Sequence, residues 1–252
     1  MIEILILSLI QGITEFLPIS SSSHLILISE FFNFNNQSLS IDVSVHIGSF
    51  LALILYFYKE ILSFVANKLL FLKILISSLP VMIVGYILVK TGTIEMLRNI
   101  ETIAWTTIFF GILLFISDKF KLEKSIEENF TLKSAFFIGL FQILSLVPGV
   151  SRSGIAITAA RLLNFKRVDS AKVAFLISIP ILGAVSIFGI KNLIFSDNIN
   201  FSLLNLLAIL ISFIFSLITI KYFLIYINRF SLSIFVYYRI FLGLVLMALT
   251  YL

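Results

Sequence analysis

Long apolar runs follow one another along nearly the whole chain, separated by short charged connections. About 20 such residues cross a bilayer as a helix. Inside lipid every backbone N–H and C=O must be paired within the protein, so a spanning chain is either helical or a closed barrel. These runs lack the apolar–polar alternation of barrel strands, which predicts an all-α polytopic membrane protein. Composition agrees, since 12% of the 252 residues are charged against about 25% in a soluble domain.

Six stretches are long enough to cross: 43–58, 69–89, 103–117, 173–190, 203–222 and 234–252. Two others, 1–30 and 134–163, are interrupted at Pro18 and Pro148 and by polar clusters. Proline and runs of serine break helices. Both segments are therefore read as re-entrant helical hairpins that turn near mid-membrane and leave on the side they entered. Broken backbone is tolerated at that depth only where it lines a cavity or is buried in protein. The N-terminus has no basic region or small-residue cleavage site, so a removed signal peptide is not expected. The chain has no cysteine, which excludes disulfides and thiolate sites.

Loop charge orients this layout. Loops 59–73, 118–133, 164–172 and 221–233 share one face and hold twelve cations: Lys59, Lys68, Lys73, Lys119, Lys121, Lys124, Lys133, Lys166, Arg167, Lys172, Lys221 and Arg229. The other face holds three, Lys90, Arg98 and Lys191. The cation-rich face is predicted to be cytoplasmic, with both termini outside. The net charge of +5 is thereby explained by the positive-inside bias rather than by nucleic-acid binding.

The halves correspond at an offset of 130, with Pro18 on Pro148, Ser21 on Ser151 and Ser23 on Ser153. Each half reads as a hairpin followed by three crossings, 1–117 and 134–252, joined by the charged linker 118–133. Three crossings invert the second copy, so the two hairpin tips would meet near the midplane, as in inverted-repeat transporters.

The two interruptions carry the chemistry. The first reads Gln11-Gly12-Ile13-Thr14-Glu15-Phe16-Leu17-Pro18-Ile19-Ser20-Ser21-Ser22-Ser23-His24, the second Pro148-Gly149-Val150-Ser151-Arg152-Ser153-Gly154. Such groups are costly among lipid-soluble residues, which marks them as functional. Gly149 and Gly154 suit a tight turn with exposed amides. A helix starting near Ser153 would present its N-terminal amides to an anion, and Arg152 adds a planar fork for phosphate oxygens. Ser151 and Ser153 flank that fork as further phosphate contacts. Glu15 has Gln11 on the same helical face. It is placed to accept a proton, to ligate metal, or to neutralise Arg152. Ser20, Ser21, Ser22 and Ser23 are the candidate nucleophile group, since a hydroxyl beside a base attacks phosphorus. His24 is placed to protonate a departing phosphate or to orient the nucleophile. His46, after Asp42, is read as structural, and Arg161 as facing the cytoplasmic rim. The aromatic excess is read as packing.

Together these two motifs resemble the signature regions of the undecaprenyl-diphosphate phosphatases, the bacitracin-resistance type of integral membrane phosphatase. The stretches from Ile41 to Tyr58 and from Ala160-Arg161-Leu162-Leu163 through Ile179-Pro180 are also similar, so the resemblance covers the chain. It implies a multi-pass enzyme of the bacterial plasma membrane. Such an enzyme converts undecaprenyl diphosphate to undecaprenyl phosphate and inorganic phosphate. This recycles the carrier for peptidoglycan precursors and confers bacitracin resistance. It implies Glu15, Ser21, His24 and Arg152 as active-site residues, an outward-opening pocket, and support by a divalent cation such as Mg or Ca. Many members carry Glu where this chain has Gln11, which removes a second base. Members also often have Gly before the histidine, where this chain has Ser23. A lipid-phosphate flippase or small-anion carrier would share inverted repeats and a midplane anion site. Covalent phosphoserine and direct water attack both stay open, as does pairing as a homodimer.

Overall fold

A computed structural model describes residues 1–32, 39–195 and 203–251. Among them the chain is helical and contains no β-strand, only an isolated bridge between Lys124 and Phe165. In order the helices are α1 (Ile2–Thr14), α2 (Ser21–Phe31), α3 (Leu39–Tyr56), α4 (Tyr58–Ala66), α5 (Lys68–Thr91), α6 (Thr93–Met96) and α7 (Ile100–Asp118). Then follow α8 (Ile126–Asn129), α9 (Leu132–Ile143), a 3-10 turn (Leu144–Leu146), α10 (Arg152–Leu162), α11 (Arg167–Phe195), α12 (Leu203–Arg229) and α13 (Ser233–Tyr251).

Five of the described helices, α5, α7, α11, α12 and α13, are individually long and apolar enough to span a membrane. The expected crossing at 43–58 differs. It falls in α3, which turns by 65° after Tyr56 into α4; the first part of the expected loop 59–73 is thus helical, and the pair passes as a span only when taken together. The segments 1–30 and 134–163 are broken, as anticipated: α1 ends at Thr14 and α2 begins at Ser21, while α9 and its 3-10 turn give way to α10 at Arg152.

Polarity is inverted relative to a water-soluble bundle. On α12, Leu206, Leu210, Ile214, Ile218, Tyr222 and Ile225 recur on the exposed face, while Asn205, Ser212 and Ser216 are buried. In lipid, helices associate through close packing and interhelical hydrogen bonds rather than through exclusion of water. The seam between α12 and α3 uses both. Asn205 Nδ2 donates to Ser44 Oγ (3.0 Å), Ser212 Oγ to Val45 O (2.7 Å) and Ser216 Oγ to Ser49 Oγ (3.0 Å). Gly48 lets the backbones approach, for a Cβ there would lie 2.9 Å from Ser212 Cβ. Gly139 does the same between α9 and α5, where a Cβ would sit 2.7 Å from Ser77 O.

The apolar centre is aromatic. Phe16 sets its ring edge-on to Phe175 at 5.4 Å, and Phe175 packs against Phe223 at 6.0 Å. Phe16 is 1% exposed, so the residue following Glu15 is a fixed anchor for the first break.

One end of the bundle is knotted by charge. Asp118, at the end of α7, accepts from Arg167 Nε (2.7 Å) and Nη2 (3.2 Å) and from the Leu232 amide (3.1 Å). Arg161 does not face a rim, as the sequence suggested. It is fully buried beside Asp118, and its guanidinium donates to the carbonyls of Asp118, Phe120, Lys121 and Phe165. The guanidinium thus satisfies carbonyls at and just beyond the ends of α7 and α10.

Candidate active site

The two breaks meet. Ser153 Oγ, at the start of α10, donates to Leu17 O in the first break (2.8 Å), and Ser151 Oγ lies 3.2 Å from Ser153 Oγ. Arg239, in the middle of α13, binds both breaks at once. Its Nη1 donates to Pro18 O (3.2 Å) and Val150 O (3.1 Å), its Nη2 to Gly149 O (2.8 Å) and its Nε to Thr107 O (3.2 Å). Thr106 Oγ1 donates to Pro148 O at 2.6 Å. Carbonyls freed where a helix stops are thus satisfied without water, which buried breaks require.

The helices that follow the breaks start alike. Ser20 caps α2 and Ser151 caps α10, each with φ 73. For a residue with a Cβ this left-handed backbone costs on the order of 1–2 kcal/mol, and it persists only where the surroundings fix it. The matching caps also correct the register between halves. One residue separates Pro18 from Ser20 but two separate Pro148 from Ser151. Ser20 therefore corresponds to Ser151 and Ser21 to Arg152, rather than Ser21 to Ser151. The extra residue is accommodated by Gly149, at φ 93, where a Cβ would collide with Thr106 Oγ1. Gly154 is not a turn residue. It lies in the first turn of α10, its amide donates to Ser151 Oγ (3.1 Å), and its missing side chain leaves room for Arg239 Nη1.

At this junction Glu15 links three side chains. Its Oε2 accepts from Ser21 Oγ (2.6 Å) and Gln11 Nε2 (2.9 Å), and its Oε1 stands 3.5 Å from Arg152 Nη1. The Glu15 side chain is 5% exposed and that of Arg152 21%. Ser21 and Arg152 each occupy the first position of their helices, where unpaired amides and the helix dipole favour negative charge. Arg152 Nη1 makes no hydrogen bond, so a strong donor points into the junction.

A cavity of about 350 Å³ opens onto this cluster. Glu15, Ser20, Ser21, Ser22, Ser151 and Arg152 are on its wall, as are Asp42, His46 and Arg98. Gln11, His24, Gly149, Ser153 and Gly154 do not line it. Gln11 holds Glu15, Ser153 ties the breaks together, and Gly149 supplies a carbonyl to Arg239. His24 is directed to α13. Its Nδ1 lies 2.7 Å from Ser20 O and its Nε2 2.6 Å from Tyr238 Oη.

Several contributors were not anticipated. Of the eighteen Lys and Arg residues, fifteen fall in the loops and three, Arg152, Arg161 and Arg239, within apolar segments. A lone Arg in the run 234–252 was the available signal for Arg239, since ionisable residues at membrane depth are rare and functional. Tyr238 had no comparable signal among many aromatics. His46 Nδ1 lies 2.8 Å from Asp42 O, one turn back on α3, and the residue is on the cavity wall.

Glu15 and Asp42 are the carboxylates on the cavity wall. Among the described residues no group of three His, Asp or Glu side chains converges. Glu15 is engaged by Ser21, Gln11 and Arg152, and a Mg²⁺ that arrives with a phosphate substrate needs only one or two protein carboxylates.

The fold and site define a helical membrane protein in which an acid, a hydroxyl and a guanidinium converge at two broken helices. Residues 4–245 match the family model described as bacitracin resistance protein BacA, and the chain belongs to that family. It is 49% identical over 251 residues to the undecaprenyl-diphosphatase of Pelagibacter ubique, covering 99% of this chain and 98% of that protein. It is 42% identical to the undecaprenyl-diphosphatase of Saccharophagus degradans (97% and 96% covered) and 38% identical to that of Roseobacter denitrificans (99% and 98% covered). Family and apolar helices together make it a multi-pass membrane protein.

Proposed function

We propose that this chain is an integral membrane phosphatase of the bacterial plasma membrane. It hydrolyses undecaprenyl diphosphate to undecaprenyl phosphate and inorganic phosphate, recycling the lipid carrier of peptidoglycan synthesis and conferring bacitracin resistance. The observation that carries the reading is the Glu15 carboxylate joined to both Ser21 and Arg152 on one cavity wall.

The chemistry follows from that geometry. Arg152 and the first amides of α2 and α10 hold the terminal phosphoryl group, stabilising charge on its equatorial oxygens. Ser21 Oγ attacks the terminal phosphorus as its proton passes to Glu15 Oε2. The bond from that phosphorus to the bridging oxygen breaks, and undecaprenyl phosphate leaves. Water then attacks the phosphoserine while the protonated Glu15 returns its proton to the departing Ser21 oxygen; the water's protons stay with the phosphate, which is released, and Glu15 is ionised again. Gln11 cannot act as a base. It keeps Glu15 oriented toward Ser21, so one carboxylate serves both half-reactions. Ser20, Ser22 and Ser151 line the phosphate pocket, and Ser153, Gly149 and Gly154 hold its shape. A divalent cation such as Mg²⁺ or Ca²⁺ would be held by Glu15 together with the substrate's phosphates and would neutralise their charge; no step is assigned to it.

The architecture that supports this reading has 1–30 and 134–163 as re-entrant hairpins in an inverted repeat, tips meeting near the midplane. The cavity opens to the outer face, where Arg98 lies in the cation-poor set of loops. The polyprenyl tail then stays in lipid while the diphosphate enters.

The alternative, a carrier of lipid phosphate or of a small anion, separates cleanly. Purified protein in detergent, with no second compartment, should release phosphate from undecaprenyl diphosphate, and Glu15→Gln should lower the rate by about 10³-fold. Substrate binding with no phosphate released by the wild type would refute the phosphatase reading.

A further inference from the structure

We infer that His24 and Tyr238 form a positioning pair that fixes the cap of α2, and that His24 does not protonate the leaving group. The inference rests on the phosphatase reading above and assigns a different part to the histidine of the motif.

Both ring nitrogens are engaged by protein groups. Ser20 O is a carbonyl and can only accept, so His24 Nδ1 carries the hydrogen in their 2.7 Å bond. In the neutral ring Nε2 is then the acceptor, and Tyr238 Oη–H donates to it at 2.6 Å. If the ring were charged, Nε2–H would donate to Tyr238 Oη instead, and both nitrogens would still be engaged. The two rings lie nearly parallel, 10° apart with centroids at 5.7 Å, which fixes the imidazole further. His24 is absent from the cavity wall that holds Ser20, Ser21, Ser22 and Arg152.

The pair has something specific to hold. Ser20 takes φ 73 at the cap of α2, and its side chain makes no bond to the helix amides. Its counterpart Ser151 does make that bond, to the Gly154 amide. The α2 cap instead has its carbonyl anchored by His24, and its hydroxyl turned to Ser23 Oγ at 3.0 Å. The next residue is Ser21. A rotation of the Ser20 carbonyl moves the Ser21 hydroxyl off Glu15. Helix α13 therefore reaches the first break through two successive residues, Tyr238 by way of His24 and Arg239 at Pro18 O.

The chemistry also needs no acid here. The departing group is a phosphate monoester, whose second pKa is about 6. It leaves as an anion at neutral pH.

The test is phosphate release from undecaprenyl diphosphate by wild type, Tyr238→Phe, His24→Asn, His24→Ala and His24→Ala/Tyr238→Phe, each checked for wild-type elution on gel filtration. Asn keeps a donor near the Nδ1 position but does not titrate. We expect Tyr238→Phe to lose about tenfold in kcat and His24→Ala more. The double variant should be no worse than His24→Ala, as a shared strut requires. His24→Asn should recover activity toward wild type, with the wild-type pH profile unchanged. An His24→Asn enzyme as inactive as His24→Ala, a pH limb missing in the His24 variants, or an unaffected Tyr238→Phe would each overturn the inference. Failure of the underlying phosphatase reading is distinct, because the wild type itself would then release no phosphate.

Discussion

Replacing Arg239 by Met should damage the enzyme more than any substitution of comparable size outside the cavity. The guanidinium donates to Pro18 O, Gly149 O, Val150 O and Thr107 O, and it is 1% exposed. A hydrogen bond involving a charged group contributes about 1.5–3 kcal/mol, so four such bonds represent roughly 6–12 kcal/mol gross. Burying the guanidinium costs several kcal/mol in return, and Met removes that cost along with the bonds. The expected net destabilisation is about 3 kcal/mol. Activity should fall further than stability, because the carbonyls it holds locate Ser21 on one break and Arg152 on the other. A displacement of about 1 Å costs on the order of 10²-fold in rate. The assay is phosphate release in detergent at a temperature where gel filtration shows intact protein, alongside the midpoint for thermal loss of the monodisperse peak. Arg239→Lys, with three donors for four acceptors and no planar fork, should recover part of both. An Arg239→Met enzyme with wild-type melting and kcat/KM within threefold of wild type would refute the idea that α13 holds the breaks together.

Other outcomes follow from the same geometry. Ser21→Ala should abolish any phosphoserine adduct detectable by mass spectrometry of acid-quenched enzyme and lower kcat by about 10³-fold; an active variant would favour direct attack by water. Arg152→Lys keeps the charge but loses the fork, so kcat/KM should drop by about 10²-fold, measured by the same release assay. Gly149→Ala, at φ 93 and against Thr106 Oγ1, should cost about 2–4 kcal/mol from backbone strain and overpacking. Adding Thr106→Ala should restore only the packing part of the lost thermal stability.

Much of this was legible in the chain because lipid punishes misplaced polarity. Pro18 and Pro148 marked the breaks, and the cost of burying Glu15 and Arg152 apart from one another predicted that they meet. The bend after Tyr56 was not legible, for Lys59 and Glu60 marked 59–73 as a loop, whereas Tyr58–Ala66 forms a second helix, α4. The register between halves was misread because the proline landmarks differ by 130 while the caps differ by 131, and only φ at Ser20 and Ser151 reveals which positions correspond. The direction of His24 depends on the phase of α2 after its cap, which tertiary contacts with α13 decide. Arg161 and Arg239 were visible as charges in apolar surroundings, but their partners are backbone carbonyls, and carbonyls carry no sequence signature.

A double-mutant cycle across the two halves tests the meeting of Glu15 and Arg152 most directly. Glu15→Gln, Arg152→Gln and the double variant would be compared by kcat/KM for phosphate release from undecaprenyl diphosphate. Groups acting as one unit should give a double variant no slower than the worse single variant. Losses that multiply in full would mean the two side chains work independently and would contradict the site described.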